Sequence, residues 1–418
     1  MKPTVSGTCA SVLSVLSIVG AFAAGCSSDN PPANGGNGTA GTPGAAGATH
    51  VAGASGAGAP GAAGSPTAVA GAGGSPGTAG APAAAGAGGA PTTAGAGGAP
   101  GAAGAAGGGT AGGASTGFQC PAGPYPTFAA PTAKATKIAG APPSDDFNKN
   151  GWTNVEGPVW IGDSLYFSEM TNAPVRPPAR ILKIAPGNVV SIAVAMSGSN
   201  GLAVDSAGNL IAAVHGDGSI DQIALPSGTP TPIVSMYNNV PFNSPNDLTI
   251  RSDGTIYFSD PIAQNSDNPQ KAQRLYRVAP APTRTISVVN GAPSTPNGVT
   301  LSPDEKTLYV TGGGFKKFAV MADGSLDGGS NFVDGTDGDG MVVDCAGNLY
   351  VAGNNTMVVR VYSPAATLIG TIQLDNSGVT TNVAFGGSDH KTLYITAQGV
   401  EGQRGVWSIP LSIPGFPY

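Results

Sequence analysis

The sequence predicts an all-β fold: a six-bladed β-propeller over residues 118–418, preceded by a disordered low-complexity linker. Three observations predict it. A short polar anchor recurs six times, at spacings of 44, 46, 51, 42 and 43 residues. A tight turn and a β-rich run follow each anchor. The charge is confined almost entirely to this part of the chain, whose 17 basic and 23 acidic residues carry the whole net charge of −6.

The anchors are Glu156-Gly157-Pro158, Asn200-Gly201-Leu202, Asn246-Asp247-Leu248, Asn297-Gly298-Val299, Asp339-Gly340-Met341 and Asn382-Val383-Ala384. Gly162-Asp163 precedes Leu165-Tyr166-Phe167, Asp253-Gly254 precedes Ile256-Tyr257-Phe258, and Gly347-Asn348 precedes Leu349-Tyr350-Val351. Such turn pairs between β-rich runs mark hairpins. Runs such as Arg180-Ile181-Leu182-Lys183-Ile184 and Arg274-Leu275-Tyr276-Arg277-Val278 supply third strands. A period in the low forties with several strands per unit is that of a propeller blade, not of a helical solenoid. The stretch Ala135-Thr136-Lys137-Ile138 is placed to add an outer strand that closes the last blade.

Pro31 to Gly117 spans 87 residues of mostly Gly, Ala, Pro, Ser and Thr, with no Asp, Glu, Lys or Arg. Such a chain has too little apolar surface to offset its conformational entropy, so it is expected to stay disordered. Its root-mean-square reach is roughly 50 Å. A mildly acidic domain without a basic cluster argues against nucleic acid as a partner.

Residues 1–25 read as an export signal: Lys2 is the early charge, and Val12 to Ala24 is apolar, small and too short to span a bilayer. Ala23-Ala24-Gly25-Cys26-Ser27 resembles a bacterial lipoprotein box, which implies lipidation of Cys26 and anchoring at the cell envelope. Ala23 stands where Leu is commoner, and simple secretion is the alternative. Residues 26–117 then form a tether, with the membrane met only through the lipid. Cys9 leaves with the signal, so Cys120 and Cys345 remain as an even pair in an exported domain. A disulfide is the economical reading, two separate thiols the alternative.

Equivalent positions on the innermost strands converge on the propeller axis, so Glu156, Asn200, Asn246, Asn297, Asp339 and Asn382 are expected around one end of the channel. Two carboxylates among amide oxygens make a hard, all-oxygen donor set, suited to Ca²⁺ first and to Mg²⁺ or Mn²⁺ as alternatives. The competing reading makes the Asn-Gly and Asp-Gly pairs simple turns. It accounts poorly for two buried acids.

Taken in order at blade spacing, Glu156-Gly157-Pro158-Val159-Trp160, Ser244-Pro245-Asn246-Asp247-Leu248, Pro296-Asn297-Gly298-Val299 and Asp339-Gly340-Met341 resemble the gluconolactonase and regucalcin (senescence marker protein) family of six-bladed lactonases. The resemblance spans 140–418. It implies metal binding by Glu156, Asn297 and Asp339, metal or substrate binding by Asn246, and a general-base role for Asp339. Asp339 is otherwise a ligand only. The implied chemistry is metal-assisted opening of a lactone, with a polarised carbonyl and an activated water. One departure stands out: the family often has a basic residue where this chain has Ser244, which loosens the link to sugar lactones in particular.

Asn200 and His215, the latter in Val214-His215-Gly216, are further candidates to contact substrate; a solvated loop is the alternative for His215. Asp247 is a neighbour of the metal position, and Asp260-Pro261 is either a support for it or a turn. Trp160 is expected to pack between blades. The leading function is a metal-dependent lactone hydrolase acting as a monomer on a small lactone or ester. A hydrolase of another ester or a phosphotriester, and a tethered propeller that binds without turnover around a structural calcium, are the alternatives.

Overall fold

The computed structural model describes residues 118–128, 132–149, 151–335, 338–375 and 378–416. The export signal 1–25, Cys26 and the tether to residue 117 lie outside the described residues. The described chain is all β, with six blade sheets whose cores are consecutive antiparallel strands and a seventh, two-stranded sheet. The innermost strands of blades one to six are Thr153–Ile161, Ser199–Val204, Leu248–Ile250, Val299–Leu301, Met341–Val343 and Val379–Gly386.

Period-two alternation along these strands makes two apolar faces per blade, one toward each neighbour. The result is six buried apolar clusters, one at each blade–blade interface. Val159, Tyr166 and Ile181 of blade one meet Leu202, Leu210 and Val214 of blade two in one of them. Val342 and Tyr350 of blade five meet Phe385, Leu393 and Trp407 of blade six in another. Trp160 stacks on Tyr394 across blades one and six, with ring centroids 5.6 Å apart, as expected of a packing residue.

Closure follows the expected route. Thr136–Lys137 pairs antiparallel with Trp407 and Ser408, so the start of the domain completes the last blade. Two features were not anticipated. Thr132–Lys134 adds a parallel fifth strand to blade five. Met236–Tyr237 and Val240–Pro241 form a separate small hairpin between blades two and three. Cys120 and Cys345 are disulfide-bonded, which fixes the entry segment to the turn after the inner strand of blade five.

Each innermost strand runs away from the mouth that carries the anchors. The loops between second and third strands, and those between blades, therefore gather at the mouth. At the other end the C-terminal tail runs along blades five and six and brings Phe416 to the channel lining. Phe416 N–H donates to Val343 O and Cys345 N–H to Pro414 O, at 2.9 and 2.8 Å.

Candidate active site at the propeller mouth

All six anchors sit where the inner strand is irregular. The registers shift after Glu156, around Asn200 and before Asn382. Blades three, four and five share one arrangement, in which two residues of the inner strand oppose one of the second. Asn246 and Asp247 bracket Ser259, Asn297 and Gly298 bracket Thr311, and Asp339 and Gly340 bracket Ala352, with bonds of 2.9–3.0 Å. Bulges of this kind re-aim a side chain while leaving the rest of the strand paired.

The anchors are tied to one another around the axis. Gly201 N–H donates to Asn246 O at 2.6 Å, and Gly340 N–H to Thr381 O at 2.7 Å. The Ser168 and Ser199 hydroxyls meet at 2.7 Å, and Val299 N–H donates to Asp247 Oδ2 at 3.1 Å. Thr311 Oγ1 donates to Asp339 O at 2.7 Å, and Thr381 Oγ1 donates to Val155 O. Every blade is thus linked to the next at the level of the anchors.

Sequence reasoning missed the hydroxyls that make these ties. Ser168, Ser259, Thr311 and Thr396 occupy one row on the second strands, and all four are buried. Ser259 Oγ accepts from Asp247 N–H at 3.1 Å, Thr311 Oγ1 from Gly298 N–H at 2.9 Å, and Thr396 Oγ1 from Asn382 N–H at 3.1 Å. A signal was present in the sequence: each ends a Tyr-x-Ser or Tyr-x-Thr triplet, as in Tyr166-Phe167-Ser168 and Tyr394-Ile395-Thr396.

Glu156, Asn246 and Asp339 are buried and Asn297 half-buried. Burial pushes the Glu156 carboxyl well above its ordinary range, and the charges of Asp339 and Asp247 push it further. Asp339 and Asp247 thus lie near enough to Glu156 for their charges to act on it. The neighbouring Asn382 amide acts the other way, lowering both Glu156 and Asp247. Asp247 is raised to about 7 by burial, against the lowering effect of the Val299 and Leu248 N–H groups. Its oxygens are thus engaged below the ring, whereas Glu156 Oε2 accepts a long 3.3 Å bond from Gly157 N–H. Asn200 is 1 % exposed, and neither Oδ1 nor Nδ2 has a partner.

Buried acids of like charge beside orphaned amide atoms suit a hard cation, which would neutralise the acids and take up amide oxygens. No group of three or more His, Cys, Asp or Glu among the described residues has metal-holding geometry. The candidate donor set has two acids, Glu156 and Asp339, and is completed by amides.

Below the ring the channel narrows to a cavity of about 30 Å³, lined by residues including Leu202, Val299, Met341, Phe385 and Phe416. That is room for about one or two waters. Substrate access is therefore from the mouth.

His215 is fully buried, which overturns the solvated alternative. Loops from two other blades cover it. Val175 of blade one bridges Asn265 of blade three, Arg176 N–H donates to Gln264 O at 2.6 Å, and the Arg176 guanidinium bonds Gly216 O above blade two. His215 Nε2 lies 2.8 Å from Pro177 O, which as an acceptor places the ring proton on Nε2. Nδ1 is then an acceptor without a partner. Burial lowers His215 to about 4, the Pro177 bond opposes this, and Arg176 lowers it further. A folded value below the ordinary 6.5 makes the unfolded chain the better proton binder between the two. The stability that neutral His215 contributes is present above about pH 6.5 and lost as pH falls toward 4. Denaturant midpoints at pH 7 and 4.5 should differ more for the wild type than for His215→Gln.

Ser244 cannot stand in for a basic residue. It is fully buried, its Oγ donates to Pro261 O at 2.8 Å, and its N–H donates to Asp260 Oδ1 at 2.9 Å. Asp260 also accepts from Asn243 N–H at 3.0 Å, so this carboxylate holds the segment leading to Asn246. That resolves Asp260 as a support rather than a simple turn.

Comparisons with known proteins bear on the fold and the family. The family model described as SMP-30/Gluconolactonase/LRE-like region matches residues 155–399, from the start of the blade-one anchor into blade six. A gluconolactonase of Zymomonas mobilis is 28% identical over 281 residues, covering 58% of this chain and 75% of the relative. The solved gluconolactonase of Xanthomonas campestris is 26% identical with a TM-score of 0.53, over 70% of this chain and 98% of that one. The calcium-binding protein regucalcin from Agrobacterium tumefaciens shares the fold, with a TM-score of 0.55 at 17% identity, over 69% of this chain and 98% of that one. With the match covering more than half of its length, the chain belongs to the SMP-30/gluconolactonase/LRE-like family.

Proposed function

We propose that the protein is a divalent-metal-dependent hydrolase that opens a sugar-type or related lactone at the propeller mouth. The observation that carries this reading is that Glu156 and Asp339, both buried, act on each other through like charge at the mouth of a channel that narrows below them to a cavity of about 30 Å³. The gluconolactonases among its relatives support the same reaction class.

Glu156, Asn246, Asn297 and Asp339 would hold the cation, with Ca²⁺ preferred for an all-oxygen donor set. When bound, the cation supplies a Lewis acid for the lactone carbonyl and lowers the pKa of water. Asp339, at 8 % exposure the most open of the three carboxylates, takes a proton from the attacking water. The hydroxide oxygen bonds to the carbonyl carbon, the ring C–O bond breaks, and the leaving alkoxide takes up a proton to become the alcohol. Asn200, with an unpartnered donor and acceptor, and His215, with Nδ1 as an acceptor, are the proposed substrate contacts; both are buried, so reaching them requires local opening at the mouth. With no basic side chain at 244, selection falls on neutral substrates. The N-terminal segment completes the proposal: export, lipidation at Cys26 and tethering of a monomeric domain.

The test uses the purified full-length chain. One bound divalent cation per chain is expected. Lactone hydrolysis should fall at least about tenfold with a chelator and return with added Ca²⁺. Hydrolysis that ignores the chelator, or none across a broad lactone and ester panel, would overturn the proposal.

A further inference from the structure

Two segments outside the family match meet at the far end of the channel. The match covers 155–399, whereas the entry segment begins at Phe118 and the tail is formed by residues 411–416. The tail is bonded to the far-end turns of blades five and six. Cys345 N–H donates to Pro414 O at 2.8 Å, and Gly415 N–H to His390 O at 2.7 Å. A Cβ at Gly415 would run into the Phe385 ring, so the tail lies directly against blade six. Phe416 is 3 % exposed and packs with Met341 and Val343 in the cluster between blades four and five. Its ring lines the small cavity beneath the anchors, together with Met341, Phe385, Asp247 and Asn382.

The entry segment holds both supports of this tail. Cys345, which binds Pro414, is disulfide-bonded to Cys120, and Cys120 packs against the same cluster as Phe416. Phe118 lies against the ring of His390, with centroids 4.2 Å apart, and His390 O is the acceptor for Gly415. A path of direct contacts therefore runs from the disulfide through the tail to Phe416 and Met341. Asp339 is two residues from Met341.

The walls of the cavity are mainly apolar, and Asp247 and Asn382 are its polar groups at the level of the anchors. Truncating the Phe416 ring enlarges the cavity, and water entering it finds those two groups as partners. An apolar shell around charged ligands limits solvent access and keeps the local dielectric low, which strengthens their attraction for a cation. We propose that Phe416 is a positioning residue for the cation site at the mouth, acting as its floor, and that the Cys120–Cys345 disulfide makes this floor depend on oxidation. A dithiol reduces the bond by passing two electrons and two protons to it. Cys120 and Cys345 become thiols, and the dithiol closes to its own disulfide. The entry segment then no longer holds the tail, and Phe416 loosens from the cavity wall. The effect on the cation rests on the metal-dependent reading; the hold of the disulfide on Phe416 does not.

The experiment uses the full-length chain, oxidised and after dithiothreitol, for wild type, Phe416→Ala, Phe416→Leu and the double variant Cys120→Ser/Cys345→Ser. Calorimetry reads Ca²⁺ affinity, thermal melts with chelator read folding, and glucono-δ-lactone hydrolysis reads turnover. Reduction should weaken Ca²⁺ binding by the wild type about tenfold, and the double variant should match the reduced wild type. Phe416→Ala should show the same loss while oxidised, with no further loss on reduction, because both changes act through one ring. Phe416→Leu keeps the apolar bulk and should keep the wild-type affinity. Should Phe416→Ala not fold, Phe416→Val takes its place. A disulfide that is only a staple lowers the melting temperature on reduction and leaves the Ca²⁺ affinity of the folded protein unchanged, which overturns the proposal. Losses from reduction and from Phe416→Ala that add also overturn it. Chelator-sensitive hydrolysis that ignores both reduction and Phe416→Ala overturns the floor and leaves the lactone reading standing. The expected changes in Ca²⁺ affinity, with no lactone opened, support the floor and remove the lactone reading.

Discussion

Glu156→Gln is expected to lower lactone turnover on the order of 10³-fold while raising the melting temperature of the chelated protein. The two effects have one cause. Glu156 is buried, and the charges that act on it most, those of Asp339 and Asp247, have its own sign. Without a cation this carboxylate costs the folded state; with one, it is a ligand. Glutamine keeps the shape and an amide oxygen but removes the charge. Loss of a supporting group around a metal costs about 10–100-fold in affinity or activity, and loss of a charged ligand costs more. A group present only for packing would predict the opposite pair of signs, with activity nearly intact and the chelated protein less stable. Calcium titration, turnover and thermal melts with chelator, on wild type and variant, separate the two. Retained turnover in Glu156→Gln would remove it from the donor set.

The contrast between what was legible and what was not follows the direction of the information. Anchors and turns recur along the chain, so spacing alone gave the blade count, the inner strands and the set of residues facing the axis. Contacts between blades run across the chain. The hydroxyls of Ser168, Ser259, Thr311 and Thr396 bind an anchor of their own blade or the next, and a single blade read alone gives them no purpose. Asp247 was legible only as a neighbour of Asn246, because its partner Val299 lies 52 residues on, in the next blade. His215 was ambiguous for the same reason. Its burial comes from two loops, 172–178 and 261–273, whose meeting point no periodicity encodes.

Gly298→Ala is expected to cost at least about 3 kcal/mol of stability and to reduce turnover as well, more than a turn residue should. Within the Asn297-Gly298 anchor the glycine looks like turn chemistry, but its φ is not in the left-handed region. The constraint is space. A Cβ at Gly298 would lie 2.2 Å from Asp339 O, 2.8 Å from Thr311 Oγ1 and 2.9 Å from Gly340 Cα. Two of these atoms are backbone of the next blade and cannot swing aside as a side chain would. The methyl group therefore has to push blade five away from blade four at the level of the anchors. That moves Asp339, the proposed base, by way of its own carbonyl, and breaks the 2.7 Å bond from Thr311 Oγ1. A solvent-facing hairpin glycine makes the natural control. Gly254 combines a φ of 86° with only a 3.9 Å contact to Pro280, so Gly254→Ala should cost about 1 kcal/mol through backbone strain and leave turnover unchanged. Denaturant unfolding and kcat/KM for both variants give the comparison. Equal losses of stability with turnover intact in Gly298→Ala would mean that the anchors are held by their own blades, not by the ring of neighbours that the structure places around the axis.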